Sequence, residues 1–306
     1  MCVALWTLEH PDYSLILCTN RDEYLSRPTK EAHFHSFGHT SSSISRGEGA
    51  ILSGIDVLAG GTWLGLSRTG KIAVLTNITE PLAKFTSSRG HLVSSFLTSD
   101  SPKHLQDVVG EIIPTDAKFA GFNLLLLSPA PSTSSNQRPL SFDGTYVTNR
   151  GAGGFITSHA LSSSQRHCGG MSNGIEDKGA NEWPKVQHGI RSLKAILETS
   201  MPDRTEDQFT EELFDLLTWT SPEAPRQRSE LRNTIQVNPL PIVSNPTASI
   251  GHRDLYGTRL STVILVKRDG QVLFVERDRW KQDAEKKVTL SDPQSQRVFR
   301  FDLPVN

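Results

Sequence analysis

Cysteine is scarce in this sequence, which has three cysteines among 306 residues. Cys2, Cys18 and Cys168 are odd in number and lack the spacing of a metal-binding motif. This pattern excludes a disulfide framework and favours a reducing compartment. An excess of charge of one sign is also absent, because the formal net charge is −1. Without a basic surface, nucleic acids and anionic membranes are not expected partners.

Long apolar runs are missing as well. No stretch approaches the roughly 20 apolar residues that a membrane-spanning helix needs. The apolar run that begins at Val3 is interrupted at Glu9 and has no basic residues before it, so no cleavable signal peptide is predicted. The sequence therefore indicates a cytoplasmic protein without transmembrane helices. Its length suits one large domain or two ordinary ones.

Three hairpins are predicted from apolar runs separated by turn residues. The first joins residues 3–8 to 14–20, the second joins 61–67 to 71–77, and the third joins 262–266 to 272–275. A buried strand is predicted at residues 121–127. The Ser-, His- and Gly-rich segment 28–50 and the Pro/Ser segment 129–139 are predicted as surface loops.

Helices are predicted between these hairpins. One covers residues 89–97, and a second covers 102–113 with Ser101 as its cap. A third begins at Pro184, and Thr205 with Gln208 forms a capping box for a fourth. Strands at both ends with helices between them favour one layered α+β domain over residues 1–306. We expect a core of about residues 1–280 and a C-terminal extension at residues 281–306.

Cys2 is the leading candidate for chemistry. We expect Met1 to be removed, because aminopeptidases act where the second side chain is small. Cys2 would then carry both a nucleophilic thiol and an α-amine, whose ordinary pKa of about 7.7–8.0 suits a base. Cysteine after an initiator methionine also occurs without any function, so a site needs further residues.

Four other positions could complete a site around Cys2. Asp22 follows a strand that returns beside Cys2, where its carboxylate could accept a hydrogen bond from the α-amine. The side-chain amide of Asn77 could stabilise an oxyanion, and Asn173 invites the same interpretation. Arg259 could favour a thiolate. Each residue also has an ordinary structural interpretation at the end of a strand or in a turn.

A histidine cluster lies in the segment 28–50, at His33, His35 and His39. A His-x-His pair could bind a metal ion or haem. No cysteine lies nearby, however, and a loop rich in serine is more typical of a solvated surface. No metal site is predicted.

Several motifs taken together resemble one family. They are Met1-Cys2, Thr19-Asn20-Arg21-Asp22-Glu23, Gly60-Gly61-Thr62-Trp63-Leu64-Gly65, Leu75-Thr76-Asn77, Gly121-Phe122-Asn123-Leu124-Leu125, Ser172-Asn173, Trp183-Pro184-Lys185-Val186 and Gly257-Thr258-Arg259. This ordered set resembles the NRDE family, also called the transport and Golgi organisation protein 2 family, over nearly the whole chain. The resemblance implies an α+β fold of four layers, an αββα sandwich of the N-terminal-nucleophile hydrolase type.

The resemblance also implies roles for individual residues. Bile-salt and penicillin acylases, distant relatives with this fold, cleave amides with an N-terminal cysteine. On that pattern Cys2 is the nucleophile, Asp22 contacts the α-amine, Asn77 is the oxyanion donor, Asn173 orients the nucleophile, and Arg259 is a late arginine of the site. The residues expected to contact a ligand are Asn20, Arg21, Glu23 and Trp63.

The chain departs from the acylases at one position. The acylases carry Arg-Asn-x-Asp, whereas here Thr19 occupies the place of the arginine. Side chains alternate along a strand, so Asn20 and Asp22 share one face and Arg21 points to the other. Arg21 is therefore expected to be in the wrong register to complete an acylase-like pocket.

Two functions are open at this point. The resemblance implies a trafficking protein connected with Golgi organisation, secretion and mitochondria, which handles a hydrophobic small molecule such as haem or a lipid. Haem would then be a transported ligand, and no cofactor would be required. The alternative is an amidohydrolase in which Cys2 cleaves a small-molecule amide. This alternative requires the side chains of the proposed site to converge in the fold.

Overall fold

The computed structural model describes residues 1–38, 49–81, 85, 87–101, 103–113, 117–131, 139–199, 203–242 and 254–304. Its helices are α1 (Gly90–Thr98), α2 (Leu105–Ile112), α3 (Ser163–His167), α4 (Pro184–Glu198) and α5 (Glu206–Leu217), with short 3-10 turns at Glu176–Lys178, Ala180–Glu182 and Arg228–Asn233. Its strands are β1 (Val3–Thr7), β2 (Tyr13–Tyr24), β3 (Thr29–His35), β4 (Ile51–Asp56), β5 (Leu64–Ser67), β6 (Ile72–Asn77), β7 (Phe122–Pro129), β8 (Phe142–Thr148), β9 (Thr157–Ala160), β10 (Gly169–Met171), β11 (Leu240–Pro241), β12 (Leu255–Lys267), β13 (Gln271–Asp278), β14 (Trp280–Gln282), β15 (Val288–Leu290) and β16 (Gln296–Asp302).

The strands form two large antiparallel sheets. The first has the order β10-β1-β2-β12-β13-β16, and β11 also pairs with β12. The second runs from β3 to β9 in chain order, and β14 with β15 forms a separate hairpin. The first sheet therefore combines strands from both ends of the described chain, whereas the second consists of chain neighbours.

Three apolar cores define four layers. The inner faces of the two sheets share one core, in which Trp6 and Leu17 of the first sheet pack with Leu125 and Phe142 of the second. The outer face of the first sheet packs against α4 and α5, and the outer face of the second packs against α1 and α2. Because both sheets are covered on both faces, the predicted αββα sandwich is confirmed.

The predicted hairpins are present. β1 pairs with β2, β5 pairs with β6, and β12 pairs with β13. Gly70 and Gly270 have φ angles of +89° and +94° in two of the turns, a conformation that L side chains rarely adopt. The sequence also placed α1, β7 and the start of α4 correctly, and the Thr205–Gln208 capping box is formed.

Two predictions about local structure are wrong. The segment 28–50 contains strand β3, which is stabilised by pairing with β4 and by a bond of 2.9 Å from Ala32 N to Glu276 Oε1. Ser101 does not cap α2, which begins after His104. The Ser101 hydroxyl instead accepts a bond from Lys103 N at 3.4 Å, so it stabilises a local turn. His39 and residues 132–138 lie outside the described residues.

Candidate active site

A cleft opens where the ends of β2 and β6 meet the loop before β5. Cys2 lies just before β1, and Val3 pairs with Asn20, so the thiol is held next to the end of β2. Cys2 Sγ accepts a hydrogen bond from Asp22 N at 3.4 Å. The cleft has a volume of about 760 Å³. Its lining includes Cys2, Arg21, Asp22, Glu23, Arg27, Trp63, Asn77, Arg89 and His91.

The α-ammonium group of Met1 occupies the position beside Asp22. Met1 N lies 3.0 Å from Asp22 Oδ2 and donates a hydrogen bond of 2.6 Å to Tyr256 Oη. The α-ammonium group therefore contacts both the Asp22 carboxylate and the Tyr256 hydroxyl. The Met1 side chain is buried with Leu231 and Val237. As long as Met1 is attached, the nitrogen of Cys2 is an amide and cannot act as a base.

Lys185 and Tyr256 belong to this arrangement but were missed by the sequence analysis. Lys185 is fully buried, donates a hydrogen bond to Met1 O and lies 4.0 Å from Asp22 Oδ2. Tyr256 Oη donates to Asp22 O at 2.9 Å, and Thr258 Oγ1 donates to Asp22 Oδ1 at 2.6 Å. Both residues lie within or beside motifs noted in the sequence, but neither periodicity nor turn chemistry indicated a buried polar cluster.

The Cys2 thiol is not activated in this arrangement. Burial and the neighbouring Asp22 carboxylate raise the pKa of Cys2 above its ordinary value, although the α-ammonium group and Arg21 act in the opposite direction. Burial likewise lowers the pKa of the Met1 α-ammonium group, against the attraction of Asp22. The thiol is therefore protonated at neutral pH.

The two asparagines of the predicted site are linked to each other. Asn77 ends β6 and lines the cleft with Cys2. Asn173 Nδ2 donates to the backbone oxygen of Asn77, and Asn173 O accepts a bond of 2.7 Å from Thr79 N. Asn173 Oδ1 is buried without a hydrogen-bond partner. Asn173 thus positions the backbone of Asn77, and the proposed oxyanion and orienting roles remain predictions.

Arg259 does not line the cleft. It lies at a register shift between β2 and β12, and its guanidinium donates to the backbone oxygen of Arg27. Burial, and then repulsion by Arg21, lower the pKa of Arg259 to about 10. The arginine therefore lies near the site, where it lines a separate cavity of about 190 Å³.

Arg21 lies on the face of β2 that borders the cleft. The predicted alternation is correct, because Asn20 bonds to Leu217 O at 2.9 Å on the helix side of the sheet. Positions 19 and 21, however, share the opposite face, and this face borders the cleft. Arg21 lines the cleft together with Cys2; the expectations that it contacts a ligand and that it cannot replace the acylase arginine stay predictions.

The other residues expected to contact a ligand divide into two groups. Glu23 and Trp63 line the cleft. Asn20 does not, because its side chain is buried between Leu217 O and the hydroxyl of Ser261, which donates to Asn20 Oδ1 at 2.7 Å. Asn20 therefore connects the sheet to its helical layer.

A second cavity of about 880 Å³ adjoins the cleft. Both are bordered by Gly60, Ser87, Ser88 and His91. The second cavity is also lined by His33, His35, Phe37, Leu92, Ile112 and Phe119. The His33 and His35 rings lie 4.8 Å apart. Within the described ranges no group of three or more potential ligands could hold a metal ion.

The layers and the position of Cys2 define the class of protein. A four-layer αββα sandwich that holds a cysteine at the head of its first strand, next to a buried aspartate, has the architecture of the N-terminal-nucleophile hydrolase type. Among the helices of the described residues, none is long and apolar enough to cross a membrane.

The chain belongs to the Transport and Golgi organisation 2 family, whose family model matches residues 1–281. It is 33% identical to the mouse Transport and Golgi organization 2 homolog over 283 residues, which cover 90% of each chain. It is also 33% identical to the human homolog over 277 residues, covering 89% of this chain and 88% of the relative. A mutant of the conjugated bile acid hydrolase from Clostridium perfringens aligns with a TM-score of 0.49 at 8% identity, over 100% of this chain and 99% of that one.

Proposed function

We propose that this protein binds a hydrophobic small molecule, such as haem or a lipid, and that this binding serves Golgi organisation and secretion. The observation that carries the proposal is the Cys2 cleft and its adjoining cavity, a polar compartment and a neighbouring one that is lined by both polar and apolar side chains. Sites of several hundred Å³ with few convergent polar groups are typical of small-molecule binding.

The state of Cys2 favours binding over turnover while Met1 is present. The Cys2 nitrogen is then an amide, the thiol is protonated, and the α-ammonium group on Asp22 belongs to another residue. A cysteine nucleophile needs a base within hydrogen-bonding distance. This form of the chain holds a ligand beside Cys2 without cleaving it.

The adjoining cavity has chemistry that suits haem. Burial and the neighbouring His33 lower the pKa of His35 to about 4, so its imidazole is neutral at pH 7. A neutral ring is the form that ligates iron, but both nitrogens of His35 have partners, because Nε2 bonds to Ser53 Oγ at 2.8 Å and Nδ1 accepts a bond from Phe37 N at 3.3 Å. His33 is therefore the better candidate ligand, through Nε2, since its Nδ1 bonds to Glu31 O at 2.7 Å. Phe37 stacks edge-on against His35 with 4.3 Å between the ring centroids, and Phe119 contributes further apolar surface.

Haem titration tests this proposal. The purified protein is titrated with haem and followed by absorbance, beside the double variant His33→Ala/His35→Ala and the exposed control His167→Ala. We expect the double variant to bind at least about tenfold more weakly, a loss of roughly 1.4 kcal/mol, and the control to match the wild type. Unchanged affinity in the double variant would remove these histidines as haem ligands, whereas no binding of haem by the wild type would remove haem from the proposal. A parallel titration with a fluorescent fatty acid tests whether the protein binds a lipid.

A second candidate function rests on the convergence of Cys2, Asp22 and Asn77 at one cleft. If residue 1 is removed, the α-amine of Cys2 can take the place of the Met1 ammonium group beside Asp22. The amine would accept the thiol proton as sulfur attacks an amide carbonyl, and would pass that proton to the departing amine. Water would then hydrolyse the thioester to a carboxylic acid and restore the thiol.

The hydrolase candidate is tested on protein whose first residue is Cys2, made by cleaving a fusion and checked by intact mass. An acyl probe should label this form much faster than the form that retains Met1, and Cys2→Ala should abolish the labelling. Cys168→Ala is the matched control. Labelling of Cys2 no faster than that of Cys168 would exclude the amidohydrolase.

A further inference from the structure

Arg21 is a buried cation at the wall of the Cys2 cleft. Its side chain is 6% exposed, and it lines the cleft beside the cysteine. Burial of a charged group without a partner costs several kcal/mol. A folded chain that keeps a guanidinium in such a place therefore needs a compensating interaction.

In the described part of the chain Arg21 has no direct ion-pair partner, although Glu23 and Asp56 attract its charge from a greater distance. Arg21 Nη1 is buried without a hydrogen-bond partner, and no carboxylate of the described chain lies within ion-pair distance of this guanidinium. The acidic groups nearby have other partners. Arg27 Nε lies 2.8 Å from Asp56 and 4.0 Å from Glu23, and Asp22 faces the α-ammonium group.

Trp63 holds the Arg21 guanidinium in one orientation. The Arg21 guanidinium carbon lies 4.0 Å from the centroid of the Trp63 ring, a cation–π contact. The Trp63 ring in turn lies so close over Gly54 that a Cβ atom there would come within 2.6 Å of it. The contact fixes the plane of the guanidinium at the wall of the cleft.

We infer that Arg21 receives an anionic group of the ligand, a carboxylate or phosphate, and holds it beside Cys2. A planar guanidinium fixed by stacking suits the bidentate recognition of these oxyanions. The apolar part of the adjoining cavity, at Phe37, Leu92 and Phe119, would contact the body of the ligand, so the ligand class is an amphipathic molecule with an acidic head group. This inference rests on the proposed function of the cleft as a small-molecule site.

The experiment compares ligands that share one alkyl chain, namely dodecanoate, dodecyl phosphate and dodecanamide, by calorimetric titration of the wild-type protein. We expect one of the anions to bind at least about tenfold more tightly than the uncharged amide, a difference of roughly 1.4 kcal/mol. The preference between the two anions identifies the head group. Equal binding of all three would overturn the inference but leave the cleft as a binding site, whereas no binding of any would contradict the proposed function for lipids.

Variants then assign the preference to Arg21. Arg21→Gln should remove the difference in affinity between the anions and the amide. Arg21→Lys should keep part of this difference, because lysine retains the positive charge but cannot form two parallel hydrogen bonds. Arg300→Gln, at an exposed arginine, is the control and should bind as the wild type. Circular dichroism and thermal melting establish that each variant is folded, and the wild-type comparison of ligands does not depend on them. A full anion preference in folded Arg21→Gln would overturn the assignment.

Discussion

Asp22 connects three segments of the chain through one buried carboxylate. Its oxygens face Thr258 at 2.6 Å, the Met1 α-ammonium group at 3.0 Å and Lys185 at 4.0 Å. Lys185 is fully buried and has no other acidic neighbour within ion-pair distance in the described ranges. The negative charge of Asp22 therefore stabilises the charged forms of two buried amines, the α-amine of Met1 and the side chain of Lys185.

Asp22→Asn should destabilise the protein by about 3–5 kcal/mol, because it leaves buried cations without a counterion. Urea denaturation followed by tryptophan fluorescence measures the change. Asp207→Asn is the control, since Asp207 is 89% exposed and should shift stability by less than about 0.5 kcal/mol. If Asp22→Asn lowers the free energy of unfolding as little as Asp207→Asn does, this explanation is wrong.

Cys2 should react slowly with iodoacetamide at neutral pH and faster as pH rises. The Asp22 charge and burial oppose the thiolate, so the midpoint of the rate profile should lie above the ordinary cysteine value of about 8.5. Asp22→Asn should move this midpoint downward by removing the negative charge. Rates are measured by mass spectrometry in a Cys168→Ala background. A midpoint at or below 8 in the wild type would disagree with the geometry.

The location of a single site residue could be predicted from the sequence where its position in a strand could be predicted. Cys2 and Asp22 could be brought together from a predicted hairpin, because neighbouring strands fix which residues lie side by side. The position of Arg21 could not be settled in this way. Alternation shows which residues share a face of β2, but only the packing of the second sheet decides which face borders the cleft.

At the scale of elements, α5 shows a helix whose start is determined locally. Thr205 accepts a bond from Gln208 N at 3.2 Å, and Gln208 Oε1 accepts one of 2.9 Å from Thr205 N. Both bonds involve residues three apart in sequence, so the motif could be predicted without knowledge of the fold.

Thr205→Ala should lower the free energy of unfolding by about 1 kcal/mol, because an N-terminal amide of α5 loses its acceptor. Thr205→Ser should retain most of the stability. Chemical denaturation is the measurement, and Thr289→Ala, at an exposed threonine of β15, is the matched control. Equal effects at positions 205 and 289 would show that the cap contributes nothing.

Strand β3, in contrast to α5, is determined by contacts with residues that are distant in sequence. Its residues alternate weakly in hydropathy, and only Ala32 is buried. Pairing with β4 and the bond from Ala32 N to Glu276 on the first sheet hold it in place. These interactions are made with residues distant in sequence, so composition alone indicated a loop.

The whole molecule depends on the core shared by the two sheets. Leu17 is fully buried there, between strands of both sheets. Leu17→Ala should cost about 2–5 kcal/mol, and fluorescence and circular dichroism should report one coincident transition. Leu290→Ala, at a leucine that is 51% exposed, should change stability little. Separate transitions in Leu17→Ala would mean that the two sheets unfold independently.

Strand and helix patterns were enough to predict one α+β domain, whereas the four-layer arrangement was predicted only from the resemblance carried by the ordered motifs. The structural role of residues 281–306 was less evident from the sequence. Seven residues of β16 pair with β13 along the edge of the first sheet, although the strand alternates between exposed and half-buried positions. Its place is set by its partner strand rather than by its own hydrophobicity.

The pairing of β2 with β12 has a consequence for synthesis. The first strands leave the ribosome early, but their central neighbour begins only at Leu255. At about 5–20 residues per second, they wait on the order of ten seconds or more for that partner. During this interval Cys2 and the apolar β1–β2 hairpin are accessible to aminopeptidases, oxidants and chaperones. Any modification of the first residues that occurs during this interval therefore precedes assembly of the cleft.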